Sequence, residues 1–231
     1  EAGLKHACEP LKVGRIIEDE KGHVVFRSEY NGYLKIWKLP EEGHSYILGI
    51  DTAMGLAKGD YSVIEVLDRK TKEFVAEWHG HIDPYLLGRE AAYLRRFYNL
   101  GLIIPELNNT GISTVEELRR LRYPRIYRRR TNPDDVKTAP IMTYGFFTSS
   151  KSKPRIIDTL AEFINEYVGF GKDKIKSKAL LDELMTYVYE DNGSTNAQAN
   201  CHDDRVMAAG LALFALKENP NFEEVFYPIE I

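Results

Sequence analysis

The chain has 231 residues, the size of one large domain or of one domain with a small appendage. Its 31 basic and 35 acidic side chains give a net charge of −4, which argues against a protein that coats nucleic acid by bulk positive charge. No apolar run approaches the roughly 18 residues that a membrane-spanning helix needs, and two distant cysteines exclude a disulfide framework.

A turn signal stands in the N-terminal part of the chain, at Asn31-Gly32. Residues 22–39 alternate apolar and polar side chains on both sides of this dipeptide, which favours the positive φ angles of a type I′ hairpin turn. We therefore predict a β-hairpin here. We predict that the chain divides into a β-ribbon or linker extension, residues 1–40, and a main domain, residues 41–231.

The main domain begins with a pattern typical of a central sheet. Residues 46–50, 61–67 and 73–80 predict three successive strands, the last two joined by a polar turn. Pro84 then begins a helical pattern that Gly101 ends, and residues 102–105 predict a fourth strand.

The second half of the main domain is predicted to be mostly helical. Ser113 and Glu116 form a capping-box pattern for a helix to about Arg122, and Ile126-Tyr127 is a candidate fifth strand. Further helices are predicted at residues 153–168, 178–189 and 203–217. The order of elements indicates an α/β domain with a mixed sheet of five or more strands, flanked by helices.

Acidic residues stand at the ends of two predicted strands and at the start of the last predicted helix. Asp51 and Glu106 follow the two strands, and Asp203-Asp204 begins the helix. If the strands are neighbours, their carboxylates emerge at one edge of the sheet, where a helix can add a third. Carboxylates held close together repel one another unless a cation neutralises them, and oxygen ligands suit Mg²⁺ or Mn²⁺. The sequence therefore predicts a divalent-metal site, in which two ions would suit phosphodiester hydrolysis.

The segments around these acids resemble the acidic motifs of a known family. They are residues 46–55 (YILGIDTAMG) followed by Gly59-Asp60-Tyr61-Ser62, residues 104–111 (IPELNNTG), and residues 202–208 (HDDRVMA). Their order and spacing resemble the nuclease domain of tailed-bacteriophage terminase large subunits, which belongs to the ribonuclease H-like superfamily. The resemblance covers about residues 30–217.

This resemblance implies a fold, a reaction and a set of ligands. The implied reaction is cleavage of double-stranded DNA with low sequence specificity, which cuts concatemeric viral DNA during packaging into the capsid. In such domains the first aspartate bridges two metal ions, the second acid binds one ion, and the last aspartate binds the other. These positions are Asp51, Glu106 and one or both of Asp203 and Asp204, which periodicity does not separate because apolar residues follow each at helical spacing.

Three polar residues beside the motifs are candidates to support the ligands. Asp60 could be an outer ligand or bind a water, and Asn108 and His202 could orient a water or a phosphate. The resemblance also implies that the full-length protein engages a portal and a small terminase subunit in the host cytoplasm, whereas the isolated domain is expected to be monomeric. No Gly-x-x-x-x-Gly-Lys-Ser/Thr loop occurs and the chain does not begin with Met, so the packaging ATPase is expected in an N-terminal region that this chain lacks.

Basic residues concentrate in two segments that could contact DNA. The first holds Arg119, Arg122, Arg125, Arg128, Arg129 and Arg130, and the second, after a Ser-rich turn, holds Lys151, Lys153 and Arg155. Such side chains neutralise phosphates and release counterions, so both segments are predicted to bind the DNA backbone.

Other functions use similar features. A junction resolvase or a transposase core would carry comparable carboxylates, and a DNA-binding module without catalysis would carry the same arginines. Sugar-kinase and actin-like ATPases also begin with a strand and an aspartate, but they need two such domains and a longer chain. The Pro-Glu-x-Asn and His-Asp-Asp motifs favour the terminase nuclease.

Overall fold

The computed structural model describes residues 7–56, 58–108, 110–123, 125–131, 141–169, 172–189, 195–197 and 202–218. The helices within these residues are α1 (Pro84–Phe97), α2 (Gly111–Arg120), α3 (Lys153–Tyr167), α4 (Lys178–Thr186) and α5 (Asp204–Glu218). The strands are β1 (Lys12–Glu18), β2 (Val24–Ser28), β3 (Leu34–Ile36), β4 (Tyr46–Asp51), β5 (Ser62–Asp68), β6 (Glu73–Gly80), β7 (Leu102–Pro105), β8 (Arg128–Thr131), β9 (Ile141–Tyr144), β10 (Val168–Gly169), β11 (Lys172–Asp173), β12 (Tyr187–Tyr189) and β13 (Thr195–Ala197). None of these helices is long and apolar enough to cross a membrane.

Seven strands form one mixed sheet in the order β2-β1-β3-β6-β5-β4-β7. All neighbours in it are antiparallel except β4 and β7, which are parallel. This arrangement confirms the predicted α/β class, the mixed sheet of five or more strands and the flanking helices. The division at residue 40 stays a prediction, and strands β1 to β3 continue the same sheet as the later strands.

An N-terminal hairpin is present, but it joins β1 and β2, so the hairpin predicted over residues 22–39 with its turn at Asn31-Gly32 is wrong. Strands β1 and β2 pair with each other, and β3 pairs with the other side of β1, so β2 and β3 are separated by a strand. Gly32 packs against the backbone of Gly14 in β1, where a Cβ atom would stand 2.4 Å from the Gly14 Cα. The glycine therefore allows a close crossing of two chain segments and does not form the predicted hairpin turn.

Several helix and strand boundaries in the structure differ from the predicted ones. The helix α1 ends before Gly101, because Asn99 and Leu100 have left-handed φ angles of 52° and 56°. The helix α2 begins before Ser113, so the predicted capping box is wrong. The helix α4 is followed by β12 within the predicted helical range, and Ile126 makes only a single bridge, to Ile103, before β8 begins.

The sheet has a hydrophobic cluster on each face. On one face Ile47 of β4 and Ile104 of β7 pack with residues of α3, α4 and α5. On the other face Leu48 and Ile50 of β4 pack with residues of α1 and α2. Alternate residues of one strand thus enter opposite cores, as the period of two in a β-strand requires. Both faces of β4 are therefore covered, which is why this segment is almost wholly apolar.

The helix α5 lies unusually close to β4. A Cβ atom on Gly49 would stand 2.0 Å from the carbonyl oxygen of Ala208 and 2.8 Å from the backbone nitrogen of Ala212. Only glycine fits at this contact, because any side chain would occupy the space of the helix backbone. The close packing brings the first turn of α5 to the end of β4.

Candidate metal centre

Asp51 and Glu106 emerge side by side at one edge of the sheet. The parallel strands β4 and β7 pair with Ile50 opposite Pro105, so the residues that follow these two are neighbours. The backbone N–H of Glu106 donates to the carbonyl of Ile50 at 2.8 Å, which continues this register to the acid itself. The prediction that these two strands are adjacent is therefore confirmed.

The start of α5 adds Asp203 and Asp204 to the same edge. These two residues line one cavity of about 230 Å³ with Asp51 and Glu106. The complete lining is Asp51, Thr52, Ala53, Asp60, Glu106, Asn108, Thr148, Lys153, Asp203, Asp204 and Met207. All four acids predicted as metal ligands thus line a single cavity, together with Asp60 and Asn108.

The carboxyl group of Asp51 lies at the centre of this negative charge. Burial raises the pKa of Asp51 well above its usual range, and its contact with Glu106 and the charges of Asp204 and Asp203 raise it further. Like charges in a low-dielectric site cannot all ionise without a counter-charge. The site without an ion is therefore electrostatically prepared for a cation.

Asn108 holds Glu106 in place. Its Nδ2 donates to Glu106 Oε2 at 3.0 Å and to the carbonyl of Thr52 at 3.3 Å. Its Oδ1 accepts the backbone N–H groups of Thr110 and Gly111 at 3.1 and 2.8 Å, at the start of α2. One amide thus connects the Glu106 carboxylate, the end of β4 and the first turn of a helix.

The two aspartates of α5 differ in their surroundings, which the sequence could not distinguish. Asp204 is buried and its Oδ2 accepts the backbone N–H of Tyr61 at 3.2 Å. Burial raises the pKa of Asp204 to about 6, although the Tyr61 N–H acts in the opposite direction. Asp203 is half-buried, and its Oδ2 lies 3.4 Å from Nζ of Lys153.

His202 and Asp60 stand at the rim. The Nδ1 atom of His202 lies 3.9 Å from Asp60 Oδ1 and 3.7 Å from Asp204 Oδ2. Both side chains are exposed, and the His202 ring meets Tyr61 edge-on with 5.7 Å between ring centroids. The imidazole is thus within reach of solvent and of the buried carboxylate.

Lys153 lies inside the cavity, whereas the sequence grouped it with the surface residues predicted to bind DNA. Burial alone would lower the pKa of Lys153, but the contacts with Tyr187 and Asp203 raise it overall, so the side chain stays charged. Lys153 directly follows the turn of residues 149–152, in which the hydroxyl of Ser152 accepts the Ser149 N–H at 2.9 Å and the Lys153 N–H donates to the Ser149 carbonyl at 2.8 Å. The lysine brings one positive charge to a cavity lined by carboxylates.

The lining suits a hard divalent cation. Its charged donors are carboxylate oxygens, and the buried hydroxyls of Thr52 and Thr148 find no hydrogen-bond partner among the described residues. Oxygen donors of this kind are those that Mg²⁺ and Mn²⁺ prefer. Within the part of the chain that the structure describes, no three carboxylate, imidazole or thiol groups already stand close enough to hold one ion. The acids therefore line the cavity without converging on a single point.

Among the predicted DNA-binding arginines, Arg119, Arg128 and Arg129 lie over aromatic rings outside the lining of the acidic cavity. The guanidinium groups of Arg119 and Arg128 lie 5.1 and 4.6 Å from the ring centroid of Tyr144. Arg129 lies 5.2 Å from the ring of Phe146, whose backbone bridges to Glu106. Such stacking holds a guanidinium flat on the surface while its outer N–H groups stay available.

The remaining basic residues are placed differently. Arg122 follows α2. Arg125 donates to the carbonyl of Leu100 at 3.4 Å. Leu100 precedes β7 and Glu106 follows it, so Arg125 lies at the other end of this strand from Glu106. Arg155 pairs with Glu218 at 3.0 Å, at the far end of α5. Lys151 is exposed beside the Ser-rich turn, and Arg130 lies in β8, opposite Met142. Of the predicted DNA-binding residues whose side chains the structure describes, Lys153 alone lines the acidic cavity.

Sequence reasoning missed several residues of the centre. Thr52 directly follows Asp51, and Thr148 belongs to the segment before α3, so both could have been suspected from position. Arg205 was missed as well, although a charged residue inside an apolar helix is a recognisable signal. Glu65 and Glu77, buried in otherwise apolar strands, carry the same signal.

The fold is similar to that of solved nucleases from phages. The large terminase nuclease from thermophilic phage G20c with bound cobalt is 20% identical, with a TM-score of 0.60 over 92% of this chain and 94% of that chain. The same nuclease with bound magnesium is 21% identical, with a TM-score of 0.59 and the same coverage. The large terminase nuclease domain of Thermus phage P74-26 is 20% identical, with a TM-score of 0.57 over 91% and 92%.

No family model matches the chain, and no curated protein matches it. At the identities of the solved structures, the likeness establishes the architecture. The chain has the ribonuclease H-like fold of large terminase nuclease domains, along almost its whole length, and the fold expected from the resemblance is confirmed.

Proposed function

We propose that this chain is a divalent-metal-dependent endonuclease that cuts double-stranded DNA with low sequence specificity, in the packaging of a viral genome. The observation that carries the proposal is that Asp51, Glu106, Asp203 and Asp204 line one cavity of a terminase-nuclease fold. The similar nucleases with bound cobalt, magnesium and zinc support a metal site. The oxygen donors of the cavity favour Mg²⁺ or Mn²⁺, and we propose that two ions bind.

The proposed roles follow from the surroundings of each acid. Asp51 shares the cavity with Glu106 and the α5 aspartates and interacts with all three, so it is the candidate to contact both ions. Asp204 is favoured over Asp203 as the main ligand from α5, because it is buried and the Tyr61 N–H fixes one of its oxygens. When bound, the ions would activate a water and stabilise the leaving oxygen of the phosphodiester.

Other residues of the cavity would support substrate and ligands. Asn108 keeps the Glu106 carboxylate oriented through its hydrogen bond, and Lys153, charged beside Asp203, is suited to contact a phosphate oxygen. His202, exposed and near both Asp60 and Asp204, is suited to orient a water. Each of these roles uses an atom that already faces the cavity or its rim.

The wider biological assignments rest on the resemblance alone. We infer that the full-length protein acts in the host cytoplasm at the portal and contacts a small terminase subunit. The isolated domain is expected to be monomeric. For DNA binding we favour Arg119, Arg128 and Arg129, which lie over Tyr144 and Phe146, because the backbone of Phe146 bridges to Glu106.

A plasmid-cleavage assay tests the proposed function. We expect the chain to nick and linearise supercoiled plasmid with Mn²⁺ or Mg²⁺, to cut many sequences, and to lose activity in excess chelator. Restoring Mn²⁺ should restore cleavage. Cleavage that continues in chelator would contradict the metal mechanism. DNA binding without cleavage under any divalent ion would favour the non-catalytic DNA-binding module.

Arg128→Ala is expected to weaken binding to double-stranded DNA several-fold and to lower the salt dependence. Each phosphate contact contributes a slope of about −0.9 in log affinity against log salt, so loss of one contact should reduce the slope by about one. The measurement is fluorescence anisotropy with labelled duplex in chelator, at several salt concentrations.

The matched control is Arg27→Ala, since Arg27 is an exposed arginine on β2, at the opposite end of the sheet order from β7. Equal losses for Arg27→Ala and Arg128→Ala would contradict a specific role for Arg128. Loss of Lys153 should change metal binding as well as DNA binding, because its ammonium lies beside Asp203.

A further inference from the structure

A group of charged side chains outside the lining of the acidic cavity is buried against the first turn of α5. Glu65 of β5 and Glu77 of β6 lie opposite each other in the sheet and are 1% and 0% exposed. Arg205 of α5, which follows Asp204 directly, reaches this pair and is 9% exposed. Its Nε lies 3.2 Å from Glu77 Oε2.

Glu183 of α4 holds Arg205 at two points. Its Oε2 accepts the backbone N–H of Arg205 at 2.9 Å, and its Oε1 lies 2.5 Å from Nη1 of the same residue. The first N–H groups of a helix have no partner within the helix, and a carboxylate there is also favoured by the helix dipole. Glu183 therefore fixes both the backbone and the side chain of the residue next to Asp204.

Glu77 connects the same point to a second helix. Its Oε2 accepts the hydroxyl of Ser177 at 2.7 Å, and Ser177 is the N-cap of α4, whose Oγ accepts the N–H of Leu180 at 3.2 Å. The strand β6 and the starts of α4 and α5 are thus joined through one buried carboxylate. The burial of so much charge is costly, so stability alone is a weak explanation for the group.

We propose that Arg205 is a positioning residue for the metal centre, acting together with Glu183 and Glu77. The inference rests on the proposed function, since it assigns Arg205 the task of holding Asp203 and Asp204 at the cavity before an ion binds. Arg205 connects the first turn of α5 to Glu77 of β6 and Glu183 of α4, while the N–H of Tyr61 holds the neighbouring Asp204. Residues that orient metal ligands typically change metal affinity 10–100-fold when they are lost.

The test compares two variants with a matched control. Arg205→Lys keeps the charge but loses the forked guanidinium, and Glu183→Gln keeps the shape of the side chain but loses its charge. Glu162→Gln is the control, because Glu162 forms an exposed ion pair with Lys217 at 2.6 Å at the opposite end of α5. Mn²⁺ binding is measured by titration calorimetry, DNA binding is measured in chelator, and both are recorded well below each variant's unfolding temperature.

We expect Arg205→Lys and Glu183→Gln to weaken Mn²⁺ binding by about 10-fold or more, with DNA affinity unchanged, and Glu162→Gln to match the wild type in both. Wild-type Mn²⁺ affinity in Arg205→Lys and Glu183→Gln would overturn the role of Arg205 and leave the proposed function intact. If Arg205→Lys does not fold, Glu183→Gln alone decides. A wild type that binds no Mn²⁺ would overturn both the proposed function and this inference.

Discussion

Asp51→Asn is expected to lower Mn²⁺-dependent plasmid cleavage by more than about 100-fold, the upper end of the loss seen when residues that merely support a ligand are removed. Asp51 contacts Glu106 and interacts with the charges of both α5 aspartates, so its carboxylate is our candidate to contact both ions. The amide of asparagine has a similar shape but no charge, and it offers an ion only one oxygen. DNA binding in chelator should stay unchanged, because the stacked arginines are untouched.

The stability of this variant gives an independent check. Burial and neighbouring acids raise the pKa of Asp51, so the folded state binds its proton more tightly than the unfolded state. The stability that this group contributes is therefore present at low pH and is lost as the pH rises above the usual carboxyl range. Without metal at pH 8, Asp51→Asn should unfold at a temperature no lower than the wild type.

The matched control for the first prediction is Asp158→Asn, which removes an exposed carboxylate from α3. It should cleave plasmid as the wild type does. Cleavage by Asp51→Asn at the control rate would refute the assignment of Asp51 as a metal ligand. A parallel loss of DNA binding would instead indicate that the substitution damages the fold.

Gly49→Ala is expected to destabilise the fold by about 3 kcal/mol, at the upper end of the usual cost of overpacking. The added methyl would stand 2.0 Å from the carbonyl oxygen of Ala208, which is backbone and cannot rotate away. For a domain of this size the loss corresponds to a fall of roughly 10 °C in the unfolding temperature. Because α5 must move outward, Mn²⁺ affinity should fall as well.

Gly59→Ala is the control for this second prediction. A Cβ atom on Gly59 would meet only ordinary contacts, the nearest being 3.4 Å from the Leu56 Cβ. Its unfolding temperature should stay within about 2 °C of the wild type. Scanning calorimetry measures both variants. An unfolding temperature for Gly49→Ala equal to that of Gly59→Ala would show that α5 is not held as closely to β4 as described.

Much of the acidic centre could be predicted because its residues are attached to strongly patterned elements. The apolar strands that end at Asp51 and near Glu106 are buried on both faces, and their parallel pairing fixes where the following residues emerge. Helical periodicity failed to separate Asp203 from Asp204 because α5 is buried almost all round, which leaves no polar face to orient it. The tertiary contact with Tyr61 supplies the distinction.

Other features depend on contacts that a linear pattern does not contain. The dipeptide Asn31-Gly32 carries a genuine turn signal, but β1 pairs between the two flanking strands and the glycine serves a close crossing instead. Lys153 looks equivalent to Lys151 in the sequence, yet Lys153 lines the cavity and Lys151 does not. Arg205 gains its partners from β6 and α4, which are far away in the chain.

A crystal structure of the chain soaked with Mn²⁺ tests the central claim most directly. The account predicts ions in the cavity between Asp51, Glu106 and Asp204, bound by carboxylate oxygens at roughly 2.0–2.2 Å, close to the short distances that Mg²⁺ takes. The manganese anomalous signal identifies each ion without ambiguity. A soaked crystal with no ion in this cavity, or with ions bound only elsewhere, would contradict the account.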